Sequence, residues 1–161
     1  MPGNACVRAS GIDAPLFWPL HAWDRQVDLI IRRALIKKGD QTTSVQHINS
    51  LAGADLAQGI LLAELLRQNP RLRSPITEAH PKALLNLLKI SRGELDDLVQ
   101  DAGNIQGPDK EHREDAILAA YAAWAMHHQR PGWRNLLIGE TPPLYSPYPE
   151  KMDIGYWMPI P

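Results

Sequence analysis

The spacing of hydrophobic and polar positions changes several times along the chain, and each change marks an element. Cys6-Val7-Arg8-Ala9-Ser10-Gly11-Ile12-Asp13 is short, weakly β-favouring and closed by Pro15, which predicts a brief strand ending near Asp13. Phe17, Trp18, Pro19 and Trp23 then form an aromatic, proline-punctuated loop. From Asp24 the spacing turns helical. Val27, Ile30, Ile31, Ala34 and Leu35 share one face, while Arg25, Asp28, Arg32, Arg33 and Lys37 fall mainly elsewhere. Gly39 is a natural stop, followed by a polar loop from Asp40 to Ser44.

A second helix is expected from a cap at Asn49 or Ser50 to about Gln68, where Asn69-Pro70 ends it. It mixes small residues (Ala52, Gly53, Ala54, Ala57, Gly59) with bulky ones (Ile60, Leu61, Leu62, Leu65, Leu66). Glycine weakens an isolated helix, so these positions imply close packing against a neighbour. Ser74 to Ala79 reads as another short strand, and His80-Pro81 opens a helix whose apolar face is Ala83, Leu84, Leu87 and Leu88. A further short helix is expected from Gly93 to Gln100. The last long helix should follow Gly107-Pro108, with Asp109 as cap and Ile117, Ala120, Tyr121 and Trp124 as its bulky stripe. Residues 131–161 form a Pro/aromatic-rich extension, including Trp133, Tyr145, Tyr148, Tyr156 and Trp157. So many aromatics suit a segment packed over the domain, irregular or as an edge strand.

Strands alternating with helices indicate α/β architecture in one domain spanning 1–161, helix-rich and with an incomplete sheet. Only two strands are legible, and a two-stranded sheet is rarely stable alone. The composition is that of an ordinary globular chain, with 44% hydrophobic residues, 22% charged residues and a net charge of −1. That balance removes the argument for tight non-specific nucleic-acid binding through a basic excess. A single cysteine, Cys6, rules out an intrachain disulfide and fits a reducing compartment. No apolar run approaches the ~20 residues of a membrane-spanning helix. Met1-Pro2-Gly3-Asn4 lacks the layout of a secretory signal, and the expected location is cytoplasmic.

Three carboxylates stand where elements meet. Asp13 ends the first strand, at the kind of edge where open α/β sheets place ligands; a turn-initiating Asp before Pro15 is the structural alternative. Glu78 ends the second strand beside His80, and the dipole of the following helix is sufficient to favour its charge. Asp115 precedes the nearly wholly apolar run Ala116 to Met126 and must be exposed, paired or bound to a cation. Carboxylates on separate elements suit a hard divalent ion such as Mg²⁺. Spacing alone does not bring them together.

Gly11-Ile12-Asp13-Ala14-Pro15-Leu16, Thr77-Glu78-Ala79-His80-Pro81-Lys82-Ala83-Leu84-Leu85 and Arg113-Glu114-Asp115-Ala116-Ile117-Leu118-Ala119-Ala120 carry a family resemblance. In that order they resemble a bacterial and archaeal domain-of-unknown-function family described as predicted RNase H-like nucleases. Gly155-Tyr156-Trp157-Met158-Pro159-Ile160 looks like the end of some members, so the likeness runs from Gly11 to the C-terminus. The resemblance implies an RNase H-like fold, a nucleic-acid substrate and a site of Asp13, Glu78 and Asp115 binding Mg²⁺ or Mn²⁺, with His80 beside them. It also implies a three-stranded N-terminal meander, for which too few residues precede Gly11. The expectation is therefore a truncated domain, a start assigned downstream of the real one, or a sheet completed by a homodimer or another partner. A metal-dependent nuclease or phosphodiesterase is the leading expectation. A non-catalytic, self-associating or protein-binding domain with an exposed sheet edge is the alternative, and a small-molecule hydrolase a third.

Other residues carry less. Cys6 has no evident catalytic partner, and His112, His127 and His128 make no zinc pattern with one cysteine. Asp96 and Asp97 read as a solvated face, as do Arg32, Arg33, Lys37 and Lys38, a modest basic cluster that also suits phosphate contact. There is no Gly-rich phosphate loop and no nucleophile elbow.

Overall fold

The computed structural model of the chain describes residues 6–19, 24–39, 53–91, 94, 110–140, 144–145 and 154–160. In chain order the elements are β1 (Ser10–Ile12), β2 (Trp18–Pro19), α1 (Gln26–Lys37), α2 (Gly53–Gln68), β3 (Ile76–Glu78), α3 (Pro81–Leu88) and α4 (Lys110–His127). There follow β4 (Arg134–Asn135), a 3-10 turn (Leu136–Gly139), β5 (Leu144–Tyr145) and β6 (Ile154–Met158). The chain is thus mixed α/β. The helix expected over Gly93 to Gln100 lies outside the described residues apart from Glu94, as do the loop from Asp40 and the caps expected at Asn49, Ser50 and Asp109.

Four strands form a mixed sheet in the order β1-β3-β6-β4. β1 and β6 each run parallel to β3, with Ile12 opposite Glu78 and Glu78 opposite Tyr156. β4 is antiparallel to β6, and β2 pairs separately with β5. The composition of the aromatic tail predicts an irregular segment or an edge strand. Instead β6 is an inner strand, with Ile154, Gly155, Tyr156 and Met158 all buried, because it has neighbours on both sides. It supplies a strand that the N-terminal pattern does not reveal.

Helices cover both faces. Ile12, Ile76 and Ile154 share one face by register and pack with Leu16 and with Ala63 of α2. Gly11 lies on the other face against α4, so close that a Cβ there would sit 1.8 Å from the carbonyl oxygen of Ala119. That approach explains which side of α4 is buried. Periodicity predicts that the bulky stripe Ile117, Ala120, Tyr121 and Trp124 faces the core. The buried side is Leu118, Ala119, Ala122, Ala123, Ala125 and Met126, while Ala120 and Trp124 are exposed. Small side chains let the helix axis approach the sheet, and Tyr121 alone of the stripe is buried.

The expected tight packing of α2 is present. A Cβ on Gly59 would come within 2.6 Å of the Ala14 side chain and 3.0 Å of the Pro15 carbonyl. This holds α2 against the turn after β1. Among the described residues no helix is long and apolar enough to cross a membrane.

Candidate functional site at the carboxyl edge of the parallel strands

β1 and β3 end at Ile12 and Glu78, and the residues just beyond each strand lie at one edge of the sheet. Asp13 comes immediately after β1 and is exposed; His80, half-buried, is the N-cap residue of α3. α4 runs antiparallel to the parallel strands. Its C-terminal residues Met126 and His127, and Gln129 just past it, line a cavity of about 390 Å³ with Pro75 and Ile154, at the strands' amino ends. Its first turn reaches α3 at the opposite edge, where Lys82 and Glu111 approach to 3.9 Å. Asp115 is one turn beyond Glu111 and one turn before Ala119, which touches Gly11, so it lies on the sheet-facing side of α4 towards the carboxyl edge. Asp13, Glu78, His80 and Asp115 thus lie towards the same end of the sheet but not on one face, since Glu78 shares the face of Ile12 and Ile76 and Asp115 comes from α4 on the opposite one.

Their environments differ sharply. Glu78 is 2% exposed, and three donors hold its carboxylate. Arg25 Nη2 donates to Oε1 at 2.5 Å, Arg25 Nη1 donates to Oε2 at 2.7 Å, and the Leu16 amide donates to Oε2 at 2.9 Å. The other side of the same guanidinium serves Asp28, with Nε donating at 2.9 Å and Nη2 at 2.8 Å. Asp28 and Arg25 are each 2% exposed. Helical spacing puts Arg25 and Asp28 on the polar side of α1, whereas they are among the most buried charged residues described.

A planar fork can satisfy two carboxylates at once, which is why arginine suits such a place. Arg25 is the N-cap residue of α1 and sits at the positive end of the helix dipole, so the two carboxylates also offset that field. The helix end itself is capped from the tail: Glu140 accepts hydrogen bonds from the amides of Gln26 at 2.6 Å and Val27 at 2.9 Å. Glu140 thereby fixes the backbone beside Arg25.

Burial pushes the Glu78 carboxyl above its ordinary range, against the opposing pull of Arg25 and the Leu16 amide. The Arg25 guanidinium is raised well above its ordinary value: burial, the largest influence, opposes its charge, but the charges and hydrogen bonds of Glu78 and Asp28 outweigh it. The two directions pull against each other. The bond geometry favours the ion pair, because five N–H···O contacts of 2.5–2.9 Å converge on two carboxylates through one guanidinium and one amide.

Tyr156 completes this end of the sheet. It is opposite Glu78 in register, and the Arg25 guanidinium carbon lies 5.8 Å from its ring centre. Burial, then the negative charges of Glu78 and Asp28, raise its hydroxyl pKa well above the ordinary value, with Asp13 adding to the effect. Asp13 therefore lies within electrostatic reach of the Tyr156 hydroxyl.

A metal site built on Asp13, Glu78 and Asp115 together does not fit this arrangement. Both Glu78 oxygens already accept charge-assisted bonds, and among the described residues no three His, Cys, Asp or Glu side chains are grouped to hold one ion. The basic cluster is also divided. Arg32 pairs with Asp24 at 3.0 Å, and Lys38 donates to the Leu87 carbonyl of α3. Asp96 and Asp97 lie outside the described residues.

The fold and this edge define a mixed α/β domain with a buried carboxylate–guanidinium–carboxylate triplet where the parallel strands end. Comparison with protein-family models, with curated proteins and with solved structures returns no match to this chain.

Proposed function

We propose that the chain is an RNase H-like phosphodiesterase or nuclease domain whose substrate meets the carboxyl edge of the parallel strands. The observation that carries the reading is the arrival of Asp13, Glu78, Asp115 and His80 at one edge, from β1, β3, α4 and the α3 cap. The resemblance of these same segments to predicted RNase H-like nucleases supports it, and open α/β sheets bind ligands at this edge. Asp13 and Asp115 are the carboxylates with access to solvent, and His80 is the imidazole that would move a proton. Glu78 acts from beneath, holding Leu16 and hence the turn that carries Asp13.

The test is cleavage of single-stranded, duplex and RNA–DNA hybrid substrates by the full chain with Mn²⁺. Asp13→Asn and Asp115→Asn should each reduce the rate by roughly 100-fold or more. Activity unaffected by Asp115→Asn would remove that residue and the reading with it.

A second reading, a self-associating non-catalytic domain, is favoured by the exposed apolar side of α2. Leu61 and Leu65 are each 64% exposed and Leu62 45%. β1 also has no strand on its outer side among the described residues. A monomer by light scattering across the micromolar range argues against it.

A further inference from the structure

The carboxylate that the resemblance assigns to a metal has the surroundings of an internal ion triplet. Each Glu78 oxygen faces a guanidinium nitrogen, and Nε and Nη2 also donate to Asp28. The Tyr156 ring lies 5.8 Å from the same guanidinium. A divalent ion prefers carboxylate oxygens and retained waters, and the oxygens it would use here are already engaged by Arg25. We infer that Arg25 is the resident cation of this edge, occupying the place on Glu78 and Asp28 that a divalent ion would otherwise take. Glu78 is then a positioning residue and not a metal ligand. Arg25 fixes Glu78, and Glu78 through Oε2 fixes the Leu16 amide, three residues past Asp13.

The inference deepens the proposed reading of the same edge, yet the two fail separately. That reading depends on cleavage lost with Asp13 or Asp115, whereas this one is read from cation-dependent stability.

Thermal unfolding of the full chain with and without millimolar MnCl₂ tests it in the wild type, E78Q, R25A and the R25A/E78Q double variant. Whatever shift Mn²⁺ produces in the wild type should persist in E78Q. R25A should lose roughly 6–20 °C in Tm, because two buried carboxylates are left without a counter-ion. Mn²⁺ should restore part of that loss in R25A and none in R25A/E78Q, a response that a purely structural arginine would not give. A wild-type Mn²⁺ shift that disappears in E78Q would overturn the inference, as would a folded R25A that Mn²⁺ leaves unmoved. Should R25A fail to fold, counting bound Mn²⁺ by electron paramagnetic resonance on wild type and E78Q decides it. Equal counts support the inference, and a lower count in E78Q overturns it.

Discussion

Arg25 and Asp28 are three residues apart in sequence, and Glu78 joins them from 53 residues beyond Arg25. A local i,i+3 pair of this kind at a helix start is ordinarily a solvated one. Burial changes its character, since each charge depends on the others for compensation. A double-mutant cycle gives this a measurable consequence. In chemical denaturation the losses from Arg25→Ala and Glu78→Gln should be strongly non-additive, and additive losses would mean that the two charges do not compensate each other. At this scale the sequence marks Asp13, Glu78, His80 and Asp115 at element ends and passes over Arg25. The available signal is an Arg-x-x-Asp pair opening a helix, and nothing local says that such a pair will be buried.

At the scale of elements, period and punctuation place α1, α2, α3 and α4 well, because apolar spacing and Pro or Gly stops are local properties. The orientation of α4 is less legible. Its alanines face the sheet because Gly11 offers a surface without a side chain, and that choice depends on two segments far apart in the chain. Gly11→Ala should thus be severely destabilising, on the order of 3 kcal/mol or more, since the new methyl meets backbone atoms that cannot rotate away. Chemical denaturation measures it, and a loss below about 1 kcal/mol would mean that α4 shifts freely. On α2, Glu64 accepts bonds from Arg67 at 2.8 and 2.9 Å and from Gln68 at 2.9 Å. These hold its carboxyl at about 2, with the Arg67 hydrogen bond the largest influence. The pair's contribution is present above the ordinary carboxyl value and is lost as pH falls through about 2. Carboxyl-carbon NMR should find Glu64 titrating there, and returning towards the ordinary range in Arg67→Ala. A Glu64 that titrates normally in the wild type would show the pair is not held in solution.

Over the whole molecule, the two sides of α2 separate packing from surface. Leu56 is 3% exposed and Leu61 64%. Leu56→Ala should cost about 2–5 kcal/mol, whereas Leu61→Ser should change monomer stability by about 0.5 kcal/mol or less. If Leu61→Ser instead destabilises strongly and in proportion to protein concentration, that face is an interface in solution. The sequence by itself determined the α/β class, α1 to α4 and the strand ends at which Asp13 and Glu78 stand, because these depend on period, propensity and punctuation within a few residues; Asp115 stands inside α4. Only the tertiary structure decided that the aromatic tail becomes an inner strand, that α4 buries its small side, and that Arg25 joins Glu78 to Asp28. Each of those outcomes depends on partners distant in sequence, whose proximity is set by how the layers close over the sheet.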